Sequence, residues 1–136
     1  MKSLIVVTSL LLASSVLRAD CPDLSGTYLD KDSNLSITVV RKDCTEIDLG
    51  YGERILKTDG KTQTWGGMSD VTAKYTQENK LYIKSVVSNG VLAGFIEEAT
   101  LYLDDQKNLV EELIGSESGG PTFKNKTVLI RQNLQK

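Results

Sequence analysis

The chain has 136 residues, 16 basic and 18 acidic side chains, a formal charge of −2 and no histidine. That length has room for one domain. The missing imidazole excludes Ser-His-Asp and Cys-His nucleophile pairs and every histidine-bearing metal site, two cysteines are too few for a four-thiolate zinc site, and the acidic balance argues against nucleic acid and anionic lipid.

Residues 1–19 have the pattern of a secretory signal peptide. Lys2 carries the positive charge, residues 4–12 form an apolar run broken only by Thr8 and Ser9, and Leu17 and Ala19 stand at −3 and −1 of a cut before Asp20. The run falls well short of the about 20 residues that a membrane span needs. The expectation is a cleaved leader and a single exported domain, residues 20–136, periplasmic or extracellular, with no membrane span of its own. Arg18-Ala19-Asp20 before Cys21 lacks the small apolar residues of a lipidation site. Losing Lys2 and Arg18 leaves a still more acidic chain. In an oxidising compartment Cys21 and Cys44 are expected to form one disulfide, tying the N-terminal end to the end of the second strand. That closed loop is worth about 3 kcal/mol in the chain-entropy picture. No CxxC spacing points to a redox pair instead.

The rest reads as consecutive strands, because apolar residues alternate and no window keeps a helical period. Leu35, Ile37 and Val39 form one row, and Ile47, Leu49 and Tyr51 the next. Val71, Ala73 and Tyr75 follow, then Leu81, Ile83, Ser85 and Val87. Phe95, Ala99, Leu101 and Leu103 share a row with Glu97, and Leu109 and Leu113 share one with Glu111. Residues 127–134 read as the last strand. Asp59-Gly60 and Asn89-Gly90 carry the signature of two-residue hairpin turns. Glu78-Asn79 and residues 104–108 read as longer hairpin loops, and residues 115–121 as the longest flexible stretch. This makes roughly eight to ten short strands in an antiparallel up-and-down meander. Such a meander closes into a barrel or folds into a sandwich; the barrel is expected, because joining the first and last strands removes both edges.

A two-residue turn at Asn89-Gly90 creates a conflict. It pairs Val87 with Leu92 and Ile83 with Ile96, turning Glu98, Thr100 and Tyr102 inward and Phe95, Leu101 and Leu103 outward. A bulge near Gly94 would shift the alternation by one residue and restore the apolar choice.

The first strand reads Cys21-Pro22-Asp23-Leu24-Ser25-Gly26-Thr27-Tyr28. Gly26-x-Tyr28 resembles the Gly-x-Trp signature that opens the first strand of calycins, the superfamily of lipocalins, fatty-acid-binding proteins and avidins. The resemblance implies a lipocalin-like barrel in which Arg131, on the last strand, covers the Tyr28 ring and closes one end. A guanidinium stacks well on an aromatic face. Leu24-Ser25-Gly26-x-Tyr28 and Ser33-Asn34-Leu35-x-Ile37 also resemble the opening of avidins, which implies that Asp30 and Ser33 face the ligand. Biotin is not expected: Trp65 is the one tryptophan, and Asp30 presents an acceptor where a urea oxygen needs donors.

Glu97-Glu98 and Glu111-Glu112 invite a paired-carboxylate mechanism, but neighbours on a strand point to opposite faces. No enzymatic activity, cofactor or metal is expected. If Glu97 and Glu111 point inward, they are polar handles in need of Ser85, Arg131 or water. Across the Asp59-Gly60 hairpin, Trp65 is expected opposite Arg54, either touching a ligand or partner at the barrel mouth or packing between strands. The glycine-rich spots lack the context of a phosphate loop. Asn34-Leu35-Ser36 and Asn125-Lys126-Thr127 fit the glycosylation pattern.

The expected function is binding of a small, partly apolar molecule inside the barrel. Tyr28, Ile37, Val39, Leu49, Tyr75, Ile83, Phe95 and Leu101 would line it, with Arg131 at the closed end. The alternative is a protein-interaction module, such as a hydrolase inhibitor, with a filled core and a partner held by loops 66–69 and 115–121.

Overall fold

The fold is taken from a computed structural model, which describes residues 21–50, 55–117 and 120–133. The leader, Tyr51 and Arg54 lie outside the described residues. The described chain is all-β, and no helix among its residues is long and apolar enough to cross a membrane.

Ten strands follow one another: β1 (Gly26–Asp30), β2 (Leu35–Arg41), β3 (Glu46–Asp48), β4 (Ile55–Lys57), β5 (Asp59–Trp65), β6 (Ser69–Tyr75), β7 (Leu81–Val87), β8 (Ile96–Leu103), β9 (Leu109–Ser116) and β10 (Thr122–Arg131). They pair antiparallel in the order β4-β3-β2-β1-β10-β9-β8-β7-β6-β5. First and last strands meet, with Tyr28 opposite Arg131 and Leu29 opposite Ile130. The two outermost strands of that order, β4 and β5, are consecutive in the chain with only Thr58 between them. The sheet therefore curls back on itself as a nearly closed barrel. At the remaining seam the Gln63 side chain stands in for a neighbouring peptide. Its Oε1 accepts from the Lys57 backbone N–H at 3.0 Å, and its Nε2 donates to the Lys57 carbonyl at 2.6 Å. An edge that would otherwise be bare is thus partly satisfied.

The core is not spread evenly along the barrel. Val39 lies near the end of β2, Ala73 near the end of β6, Leu81 at the start of β7, Leu101 near the end of β8, Leu109 at the start of β9 and Leu129 near the end of β10; all are buried. Because the strands alternate in direction, these positions converge on one end, where Leu24 and Tyr28 also pack. Cys21 and Cys44 stand at disulfide distance there, Cα to Cα 5.6 Å. The opposite end carries the β1–β2, β5–β6, β7–β8 and β9–β10 connections.

Three local expectations are corrected. Asp59-Gly60 is not a hairpin turn: Asp59 pairs with Lys74 on β6, and a bulge lies between Asp59 and Thr62. Gly60 has φ 76°, which a bulge accepts as readily as a turn does. Trp65 faces Ser69 across the β5–β6 pair; Arg54, its expected neighbour, lies outside the described residues. Asn89-Gly90 is likewise not a two-residue turn but part of a loop over residues 88–94. The Gly94 N–H donates to the Val87 carbonyl at 2.8 Å, and the Val87 N–H donates to the Phe95 carbonyl at 2.9 Å. Two residues thus oppose one, with Gly94 at φ 90°, so a bulge does occupy Gly94. The longer loop and the bulge together place Ser85 opposite Glu97 and Ile83 opposite Ala99. The apolar row of β8 turns inward. Finally, β10 begins at Thr122, earlier than residue 127, and pairs with β9 back to Ser116. Gly115 and Ser116 are strand residues, and so is Ser69, which shortens both proposed partner loops.

Candidate functional site

One end of the barrel is a plug. The Tyr28 side chain is fully buried, and its hydroxyl donates to the Leu24 carbonyl at 2.8 Å. The Arg131 guanidinium carbon lies 5.7 Å from the Tyr28 ring centre. Arg131 Nη2 donates to the Ser25 carbonyl at 2.8 Å, while its backbone N–H donates to Asn108 Oδ1 at 3.1 Å. Gly26 makes this stacking possible: a Cβ there would stand 3.1 Å from the Tyr28 ring and 3.2 Å from Arg131 Nη2. Arg41 Nη1 donates to the Cys21 carbonyl at 2.7 Å. Burial pushes the Tyr28 phenol up, with the Arg131 charge pulling the other way. Burial also raises the Tyr75 phenol, whose hydroxyl is buried with no hydrogen-bond partner among the described residues.

Above the plug lies a cavity of about 460 Å³, opening beside the β5–β6 turn at Gly66 and Met68. That is within the range of about 300–1,000 Å³ usual for small-molecule sites. Of the residues expected to line the interior, Leu49, Ile83 and Leu101 do so. Tyr28 and Val39 are buried in the plug, Ile37 and Tyr75 pack against that core, and Arg131 lies beneath it. Phe95 reaches the rim and stacks on Phe123, ring centres 6.0 Å apart. The Phe123 ring lies over Gly115, where a Cβ would come within 2.1 Å of it. Trp65, Met68, Ser69, Val71, Ser85, Glu97, Ala99, Glu111 and Leu113 complete the wall. The inward rows of β6, β7, β8 and β9 point to Val71, Ser85, Glu97, Ala99, Glu111 and Leu113; Met68 is named in the sequence only within the partner loop 66–69.

The two Glu-Glu pairs divide cleanly between faces. On the outside, Glu98 accepts from the Tyr82 hydroxyl and pairs with Lys84 Nζ at 3.9 Å. Burial and the bond to Glu98 push the Tyr82 phenol up to about 12. Glu112 accepts from the Tyr102 hydroxyl at 2.9 Å and pairs with Lys126 Nζ at 3.2 Å, and these bonds hold its carboxyl below the ordinary value. On the inside, Glu97 and Glu111 both face the cavity. Neither makes a hydrogen bond or ion pair among the described residues; Arg131 and Ser85, their expected partners, do not reach them. Burial raises the Glu111 carboxyl above its ordinary value, and the Glu97 charge adds to the rise. Among the described residues no group of three or more acidic or cysteine side chains is placed to hold a metal ion.

The fold and site together define an antiparallel ten-stranded barrel, plugged at one end, with an apolar, carboxylate-bearing cavity at the other. Comparison with protein-family models, curated proteins and solved structures finds no match.

Proposed function

We propose that the protein is an exported, calycin-like carrier that holds a small, partly apolar molecule in this cavity. The observation that carries the reading is the division of the interior: solid around Tyr28, hollow above Leu101, and open at the end away from Arg131. The Gly26, Tyr28 and Arg131 arrangement supports the likeness to calycins, and the Cys21–Cys44 pair is compatible with export. The test is titration of the purified protein with N-phenyl-1-naphthylamine, a neutral apolar fluorophore. One saturating site is expected, with quenching of Trp65, the chain's one tryptophan. The Ala99→Phe variant, which fills the cavity, should lose that site. No saturable binding of the neutral fluorophore or of any eight-carbon amphiphile would remove the carrier reading.

A second reading has its own observation. Leu35, Met68, Val91, Leu92 and Phe123 are exposed, and all lie on the connections at the open end or on the strand residues beside them. Such a rim suits a protein partner. Replacing Val91 and Leu92 with serine would abolish capture of a stoichiometric partner from secreted extract while leaving fluorophore binding intact.

A further inference from the structure

The two inward carboxylates have no hydrogen-bond or ion-pair partner among the described residues. Each belongs to a Glu-Glu pair whose outward member is bonded, Glu98 to Tyr82 and Lys84, Glu112 to Tyr102 and Lys126. The inward members face apolar walls. Glu111 lies opposite Leu101, and Glu97 lies four residues nearer the mouth, opposite Gly115. No lysine or arginine lines the cavity among the described residues. A carboxylate facing apolar groups without a partner is costly, and a second one of the same sign in the same cavity adds to that cost. Leucine at both positions would fill the barrel as it does at Leu101 and Leu113. The arrangement is relieved when a positive charge enters from outside.

Resting on the carrier reading above, we propose that the ligand is an organic ammonium ion: a cationic head drawn to the β8–β9 wall by the charges of Glu97 and Glu111, with an apolar body against Trp65, Val71 and Ile83. The chemistry ranks the neighbouring classes below it. An anion meets two like charges. A neutral apolar molecule leaves both carboxylates unmatched. A hard divalent ion needs six or so oxygen ligands, and the cavity offers two carboxylates on an otherwise largely apolar wall. An ammonium ion can form charge-assisted hydrogen bonds to one carboxylate within the field of the other, and its alkyl or aryl body replaces water along the rest of the wall.

The test compares three ligands with one eight-carbon tail: octylamine, 1-octanol and octanoate. Binding is read by calorimetry and by Trp65 emission at pH 7 and moderate salt. Octylamine is expected to bind about tenfold or more tighter than octanol, and octanoate weakest. In the Glu97→Gln, Glu111→Gln double variant, octylamine should fall to the level of octanol while octanol binding holds, which also shows that the variant is folded. Glu98→Gln, on the outer face, should keep the full preference. Equal affinity for octylamine and octanol in the unaltered protein, or a preference that survives in the double variant, overturns the ammonium assignment and leaves the carrier standing. If none of the three ligands nor the neutral fluorophore binds, the carrier and the ammonium assignment fall together.

Discussion

The two ends of this barrel treat polar groups in opposite ways. At the plugged end, the Tyr28 hydroxyl, the Arg131 guanidinium, the Arg41 guanidinium and the Asn108 amide all find partners, and a cysteine pair closes the chain around them. Only the Tyr75 hydroxyl is left over among the described residues. At the open end, two carboxylates face largely apolar walls without partners among the described residues, and large apolar side chains reach solvent. Local rules are obeyed at the plugged end, where the structure is held together, and broken at the open end. That division is what the proposed carrier requires, with stability and recognition assigned to different parts of one sheet.

The comparison breaks if the plug does not carry the stability. Tyr28→Ala removes a fully buried ring, its hydrogen bond to Leu24 and the surface on which Arg131 rests. The expected loss is about 3–5 kcal/mol in urea unfolding, enough to threaten folding outright. Tyr28→Phe, which keeps the ring, should lose only about 1 kcal/mol. Replacing Cys21 and Cys44 together with alanine frees a sequence separation of 23 residues and should lower stability by about 3 kcal/mol. Binding of the neutral fluorophore, measured under strongly native conditions, should persist in that variant, because the cavity lies at the other end. Smaller still is Gln63→Ala at the seam, about 1 kcal/mol, read as faster amide exchange at Lys57.

Much of this division was legible in the residues, but only in part. Alternation reveals which face a strand residue occupies, and so Leu49, Ile83 and Leu101 are found inside. It is silent about height along the barrel. Tyr28 and Val39 share the inner face with the cavity residues, yet they belong to the plug, because height depends on strand direction and register across the whole sheet. The same blindness explains the turns. Asp59-Gly60 and Asn89-Gly90 carry one local signature, since a glycine at positive φ serves a tight turn, a bulge or a longer loop equally well. What chooses between them is the partner strand: β6 claims Asp59, and the apolar row of β8 forces the loop before it to lengthen. The start of β10 was hidden for another reason. Phe123, Lys124, Asn125 and Lys126 alternate a polar outer face with a largely polar inner one, so no apolar period announces the strand.

The subtlest effect, and the one that sharpens the contrast most, lies in a single dipeptide on β9. Glu111 faces the cavity, and burial with the Glu97 charge raises its pKa in the folded protein. A carboxyl raised on folding supports stability below its unfolded pKa, and that support is lost as pH rises through the folded value. The unaltered protein should therefore lose stability as pH climbs out of the ordinary carboxylate range. Glu111→Gln removes that loss, so its melting temperature at pH 7 should be higher by a few degrees at most, and the advantage should vanish in acid. Glu112, one residue on, is lowered by its bonds to Tyr102 and Lys126, so its support runs the other way and fades as pH falls. It is exposed to solvent, where such pairs add little, and Glu112→Gln should leave the melting temperature unchanged within error. Two adjacent glutamates then give a gain and nothing from the same substitution. If both variants behave alike, Glu111 is solvated as freely as Glu112, and the open end holds no electrostatic cost for a ligand to relieve.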